Sequence, residues 1–238
     1  MKKKRKNSRE RQVKTTKNKD YAYLFSNWED TVRRRKVFLS NPVFVKGLAL
    51  APLVVAATTV QNGILLCIAV TFLLTPTRVI TSVITKRMSM PLKTFFYPFI
   101  SAVVFLFVYY YMYKLLGASV LMLGVYLPIM VVDPLIVKNF EKTRKESVLY
   151  SIINGLRNTA GFIVACLIIS TIREFLGYGS ILGIKLIGFA PLPMAHNTFG
   201  GFLIIALLCA LWAQLVKNYK YKVEVEAMHD ERYNRDAD

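Results

Sequence analysis

Charge is the first thing this sequence is short of. Only 19% of its 238 residues are Asp, Glu, Lys or Arg, while 54% are apolar, and a soluble domain carries more charge and fewer apolar side chains. Cysteine is scarce as well. Cys67, Cys166 and Cys209 each lie inside an apolar block, with no CxxC pair and no metal ligand beside them. That excludes a disulfide framework, and the three read as small packing hydrophobes. Histidine occurs twice, and His196 is the only one outside the C-terminal tail. It precedes an apolar block for which Asn197 or Thr198 is a good helix N-cap. No nucleophile–base pair, phosphate loop or metal motif can be assembled, so the chain has no self-contained active site.

What is abundant is apolar sequence in blocks of about 20 residues, the length that crosses about 30 Å of hydrocarbon. The chain is therefore read as an all-α, multi-pass membrane protein. Its first 37 residues lack the apolar core of a cleavable signal peptide. Six segments follow: Val43–Val60, Gly63–Thr85 (broken by "TPTR" at Thr75–Arg78), Phe95–Tyr113, Leu115–Val137, Val148–Ile172 and Phe199–Val216. Residues 1–37 form a basic tail, 38–217 the membrane domain and 218–238 a polar C-terminal tail.

The net charge of +18 is concentrated at the N-terminus, where Lys2 to Lys36 carries fourteen Lys and Arg against Glu10, Asp20, Glu29 and Asp30. Such a tail suits anionic lipid headgroups, and no nucleic-acid partner is expected. Residues 1–19 are expected to be disordered, and "DYAYLFSNW" to lie at the membrane interface. Lys86, Arg87 and Lys93 in the second connection, and Lys138, Lys142, Arg144 and Lys145 in the fourth, contrast with a poor first, third and fifth. The positive-inside rule then puts both termini in the cytoplasm.

The six segments divide into two triplets, each opening with a proline-interrupted element: Ala51-Pro52 and Asp133-Pro134. Three helices followed by three more invert the second triplet. Paired breaks in inverted halves point to a site near the midplane, because irregular backbone survives there only against protein or a water-filled cavity. Asp133 is the sole carboxylate in the first four segments. It could serve as an ion or proton ligand, pair with an arginine, or accept hydrogen bonds from helix-end amides. Arg78, Arg157, Arg173 and Glu174 are the other charged candidates, expected at an interior, cavity or interface because charge at mid-bilayer costs roughly 2.5–3.5 kcal/mol. Arg173-Glu174 reads as an interfacial cap.

Four stretches occur in order and at suitable spacing: "NPVFVKGLALAPLVVAATT" from Asn41, "LGVYLPIMVVDPLIV" from Leu123, "FEKT" from Phe140 and "IREFLGYGSILG" from Ile172. Together they resemble the integral membrane subunits of Rnf and Nqr complexes, nearest the E component of Rnf and the D component of Nqr, over about Phe38 to Val216. The resemblance implies a role in coupling electron transfer, between reduced ferredoxin or quinone and NAD, to Na⁺ or H⁺ movement across a bacterial inner membrane. It implies pairing with a related six-helix subunit in inverted orientation, with flavin held by other subunits. It also implies that broken first and fourth segments meet, each subunit giving two cysteines to an intramembrane 2Fe–2S cluster, for which four thiolates are usual.

The sequence departs from this pattern at the cluster. The positions of the expected cysteines are Ala51 and Pro134, and Asp133 replaces the preceding Asn. The Gly-Arg that follows is altered to Lys138-Asn139, whereas Glu141 fits. Neither Ala nor Pro can bind iron, so the cluster is expected to be absent and no cofactor is expected on this chain alone. Two functions follow: a subunit of an Rnf- or Nqr-like ion-translocating redox complex with altered cofactor content, or a derived non-redox transporter or scaffold that keeps the inverted-repeat fold.

Overall fold

The computed structural model describes residues 27–28, 31–32, 35, 37–84, 90–136 and 148–235. The disordered-tail and interfacial-stretch expectations fall largely outside these residues, as do Lys86, Arg87, the Lys138–Lys145 connection and "FEKT". Within them the protein is helical: α1 (Leu50–Val55), α2 (Val60–Ile84), α3 (Met90–Leu116), α4 (Tyr126–Ile129), α5 (Val148–Tyr178) and α6 (Thr198–Arg235), with a small hairpin β1 (Ser180–Ile181) and β2 (Ile184–Lys185). Four helices are long and apolar enough to cross a membrane, and Tyr126–Ile136 is a shorter apolar one. The first and fourth expected segments are the ones that do not form continuous helices.

Local chemistry explains both breaks. Gly47 and Ala49 have φ of 70° and 52°, a region L-residues avoid, so no helix propagates into α1 from Asn41-Pro42. Asn41 organises the approach. Its Oδ1 accepts from the Val43 and Phe44 amides, and its Nδ2 donates to Gly161 O on α5 at 2.9 Å. In α1, Pro52 sits in the first turn, where a missing N–H costs little. The second break begins at Gly117 (φ 58°) and Gly124 (φ 51°), which bracket a 3₁₀ turn over Gly117–Leu123. Pro128 and Pro134 then remove two donors, and α4 gives way to a 3₁₀ turn at Met130–Val132.

Three boundaries differ from the sequence expectation. Helix α2 runs without interruption through Pro76, so "TPTR" does not break it; membrane helices tolerate proline when neighbouring groups re-satisfy the freed backbone. Helix α5 continues past Ile172 to Tyr178, taking Arg173 and Glu174 into its body. Helix α6 continues past Val216 to Arg235, because the tail lacks any Gly or Pro that would stop it.

The chain divides into two compact units. Lys36–Ala210 holds the membrane core, and Met1–Arg35 with Leu211–Asp238 forms the other. In the second unit Trp28 packs on Tyr219, ring centroids 6.2 Å apart, and Val223 and Ala227 of α6 are buried. In the core, half of the apolar window is buried for α2 and α5 but 22% for α3 and α6, so α2 and α5 make the central seam. They are antiparallel, with Gly63 against Ser170 at one end and Thr75 bonded to Thr159 at 3.3 Å further along. Small residues let membrane helices approach closely. Leu48, Leu53, Leu66, Leu127, Phe162 and Ile169 fill the space around the seam.

Candidate functional site

The two breaks pack on one another, α1 against α4. Between them lies Asp133, 7% exposed, whose Oδ1 accepts from the Ala49 amide at 3.1 Å. That amide precedes α1 and has no carbonyl one turn back, so the carboxylate supplies the acceptor the break removed. Asp133 Oδ2 is buried with no hydrogen-bond partner.

The other end of α1 belongs to Arg173. Its guanidinium, fully buried, donates from Nη1 to the carbonyls of Leu53 (3.0 Å), Val54 (2.7 Å) and Ala57 (3.2 Å). Nε and Nη2 reach Ala195 O and His196 O ahead of α6. Next to it Glu174 Oε2 accepts from the Val60 amide that opens α2 (2.7 Å), and Oε1 from Gly183 N and Ser180 Oγ. A cation on the carbonyl end of one helix and an anion on the amide end of the next both follow the helix dipole. These two residues are a buried clamp on the chain between α1 and α2.

The other candidates are dispersed. Ala51 is exposed and Pro134 buried; neither side chain carries a donor atom for iron. Arg78 is fully buried on α2, whereas Arg157 is exposed on α5. Lys46, not singled out from the sequence, is buried ahead of α1 with Nζ 3.4 Å from Asn158 Oδ1. A charge inside the first apolar block was the signal for it.

The cysteines also acquire neighbours that spacing could not show. Cys67 on α2 and Cys166 on α5 are neighbours across the seam, and Cys166 Sγ donates to Gly63 O at 3.4 Å. Cys209 lies apart on α6. A pocket of about 470 Å³, lined in part by Thr59, Gln61, Glu174, Tyr178 and Lys185, opens beside the clamp. At the same end His196 Nδ1 is 2.5 Å from Tyr178 Oη.

Ala51 and Pro134, at the packed breaks, present a methyl group and a pyrrolidine ring, neither of which is a ligand for iron, and the thiols of Cys67 and Cys166 stand on other helices.

Comparison with known proteins gives this geometry a family context. The model of the Rnf-Nqr subunit, membrane protein, matches residues 31–212. The chain is 29% identical over 194 residues to the E component of the proton-translocating ferredoxin:NAD(+) oxidoreductase complex of Clostridium ljungdahlii, covering 80% of this chain and 89% of that one. It is 29% identical to the E component of an ion-translocating oxidoreductase complex of Methanosarcina acetivorans, covering 74% and 86%. It is 28% identical to the E component of the Na(+)-translocating ferredoxin:NAD(+) oxidoreductase complex of Acetobacterium woodii, covering 74% and 92%.

Proposed function

The chain belongs to the Rnf-Nqr family of membrane subunits, and from that premise we propose that it is a subunit of an ion-translocating electron-transport complex that does not ligate the family's 2Fe–2S cluster. The observation that carries the proposal is the pair of packed breaks. α1 meets α4, and the backbone is held open there by Asp133 and Arg173, while Ala51 and Pro134 stand where ligating thiols would be needed.

The architecture is two inverted three-helix repeats. Supporting it, each half opens with a broken segment, and the second helix of each half, α2 and α5, carries a fully buried arginine towards its C-terminal end, Arg78 and Arg173. Both termini lie in the cytoplasm, with the basic tail on anionic headgroups. The partner is a paralogous six-helix subunit in inverted orientation, and flavin resides in other subunits. Electron flow, where it passes this subunit, uses a carrier on a partner. Asp133 is the residue of this chain placed to handle an ion or proton.

The test is purification of the tagged chain from its native membrane. Co-purifying ferredoxin-binding and flavin subunits, with no EPR-active 2Fe–2S signal attributable to this chain, are expected. A chain that purifies without them overturns the redox assignment in favour of a non-redox transporter or scaffold. A reducible cluster signal lost on substitution next to Ala51 and Pro134 overturns the cluster-free reading.

A further inference from the structure

The connection from α5 to α6 carries its apolar side chains on the outside. Between Tyr178 and Thr198 the only ionisable residues are Lys185 and His196. Leu182, Ile184, Leu186, Phe189, Leu192 and Met194 are between 43% and 70% exposed, whereas Ser180 is buried. The hairpin within this connection has two unlike faces. Ser180 pairs with Lys185 and Ile181 with Ile184, and cross-strand partners share a face. Ser180 and Lys185 line the pocket beside Glu174, and Ser180 Oγ donates to Glu174 Oε1 at 3.2 Å. The Ile181–Ile184 face is the opposite one. At the tip, Leu182 and Gly183 have φ of 54° and 79°. A two-residue turn with both φ positive normally opens on Asn, Asp or Gly. Leucine there is disfavoured by its backbone and, in water, by its side chain.

The connection is held from within. Gly179 O accepts from the Leu186 amide at 2.9 Å and the Ile187 amide at 3.0 Å, and Leu192 N donates to Leu176 O at 2.8 Å. Arg173 takes the Ala195 and His196 carbonyls. A Cβ on Gly179 would lie 2.6 Å from Phe189 O, so only glycine admits this fold-back. These contacts fix the backbone while the apolar side chains stay outside, and an apolar surface held ready in this way marks a binding face.

Depth identifies what covers it. The apolar run of α6 begins at Phe199, and a Cβ on Gly201, in its first turn, would lie 2.9 Å from Arg173 Nη2. Glu174 bonds the Val60 amide within the polar stretch Thr58–Asn62 that joins α1 to α2. Arg173 and Glu174 therefore stand where the hydrocarbon begins. Tyr178 is five residues beyond Arg173, about 7 Å at 1.5 Å per residue, and Gly183 N returns to Glu174 Oε1 at 2.8 Å. The headgroup layer on each side is roughly 5–7 Å deep, so the connection lies within it. Its apolar side chains also lead on to Phe199, Phe202 and Leu203 of α6, all at least half exposed on a helix that crosses the membrane. Tyr178 and Lys185 are residue types suited to that layer.

We propose that the α5–α6 connection is a membrane-interface anchor, which seats Leu182, Ile184, Leu186 and Phe189 among the phospholipids at that end of the bundle and keeps Ser180 and Lys185 towards the protein. Because Arg173 and Glu174 bond the connection and the α1–α2 chain alike, the anchor fixes the depth of both. This goes beyond the redox reading and does not rest on it.

The experiment uses the full chain in phospholipid vesicles, with the subunits that co-purify with it. Ile184→Cys, Leu186→Cys and Phe189→Cys are spin-labelled one at a time, and the native thiols set the background. Oxygen, which partitions into lipid, should relax these labels more than a water-soluble nickel chelate does. The order should reverse at Asn218→Cys, exposed on α6 beyond its apolar run. Stronger relaxation by the chelate at the three hairpin positions would mean that the connection faces water and would overturn the proposal. Immobilised labels reached by neither reagent would overturn it in favour of a protein partner or a second copy. Failure of the redox assignment shows separately, as the absence of ferredoxin-binding and flavin subunits from the purified material.

Discussion

Arg173 donates to the carbonyl of Val54 across 2.7 Å, from a position 119 residues further along the chain. The same guanidinium takes the Leu53 and Ala57 carbonyls, so a helix of six residues ends on a cation from the far half of the protein. Without it, several buried carbonyls would have no partner. Breaking such a buried charged contact costs about 3–5 kcal/mol. Arg173→Leu is expected to abolish the folded chain, measured as loss of a monodisperse species in mild detergent. Arg173→Lys should be intermediate, because one ammonium cannot serve five carbonyls spread over a planar fork.

Asp133 holds the opposite end of α1 through the Ala49 amide. Asn can still accept that hydrogen bond but cannot take up and release a proton. Asp133→Asn should therefore assemble normally and lose ion movement, followed by a pH-sensitive dye in vesicles. Asp133→Leu should lose assembly as well, costing about 1–3 kcal/mol for the unsatisfied amide. Transport retained in Asp133→Asn would leave the residue a purely structural cap.

Gly63 marks a close approach of α2 and α5. A Cβ there would lie 2.5 Å from Ser170 Oγ and 2.9 Å from its Cβ. Gly63→Ala should destabilise the chain by about 1–3 kcal/mol through overpacking, read as a lower thermal midpoint in detergent. Adding Ser170→Gly should restore much of the loss, since it removes both clashing atoms.

Cys67 and Cys166 face each other across the same seam. A membrane-permeant thiol oxidant should link them within one chain, detected by mass spectrometry as a single cross-linked peptide pair, with Cys209 left free. A cross-link involving Cys209 instead would mean that α2 and α5 do not pack in this register.

Much of the fold was legible because its signals are local. Apolar length set the four long helices, and Gly47, Gly117, Gly124 and the prolines set the breaks. Pro76 misled for the same reason: in sequence it looks like Pro52 or Pro134, but α2 is packed along its length and stays helical. The site was less legible. Asp133 stood out as a lone carboxylate, whereas Lys46 was passed over inside its block, and the partners of Arg173-Glu174 lie over a hundred residues away in the chain, out of reach of local patterns.

By itself the sequence determined the membrane class, the run of helices, the two interruptions and the missing thiols at Ala51 and Pro134, because each is a property of residues within a turn or two of one another. Tertiary structure alone decided that Asp133 and Arg173 hold the two ends of α1 and that Cys67 meets Cys166. Those relationships join positions about a hundred residues apart. They exist only because a buried amide or carbonyl that has lost its helical partner must find another wherever the folded chain brings one within reach.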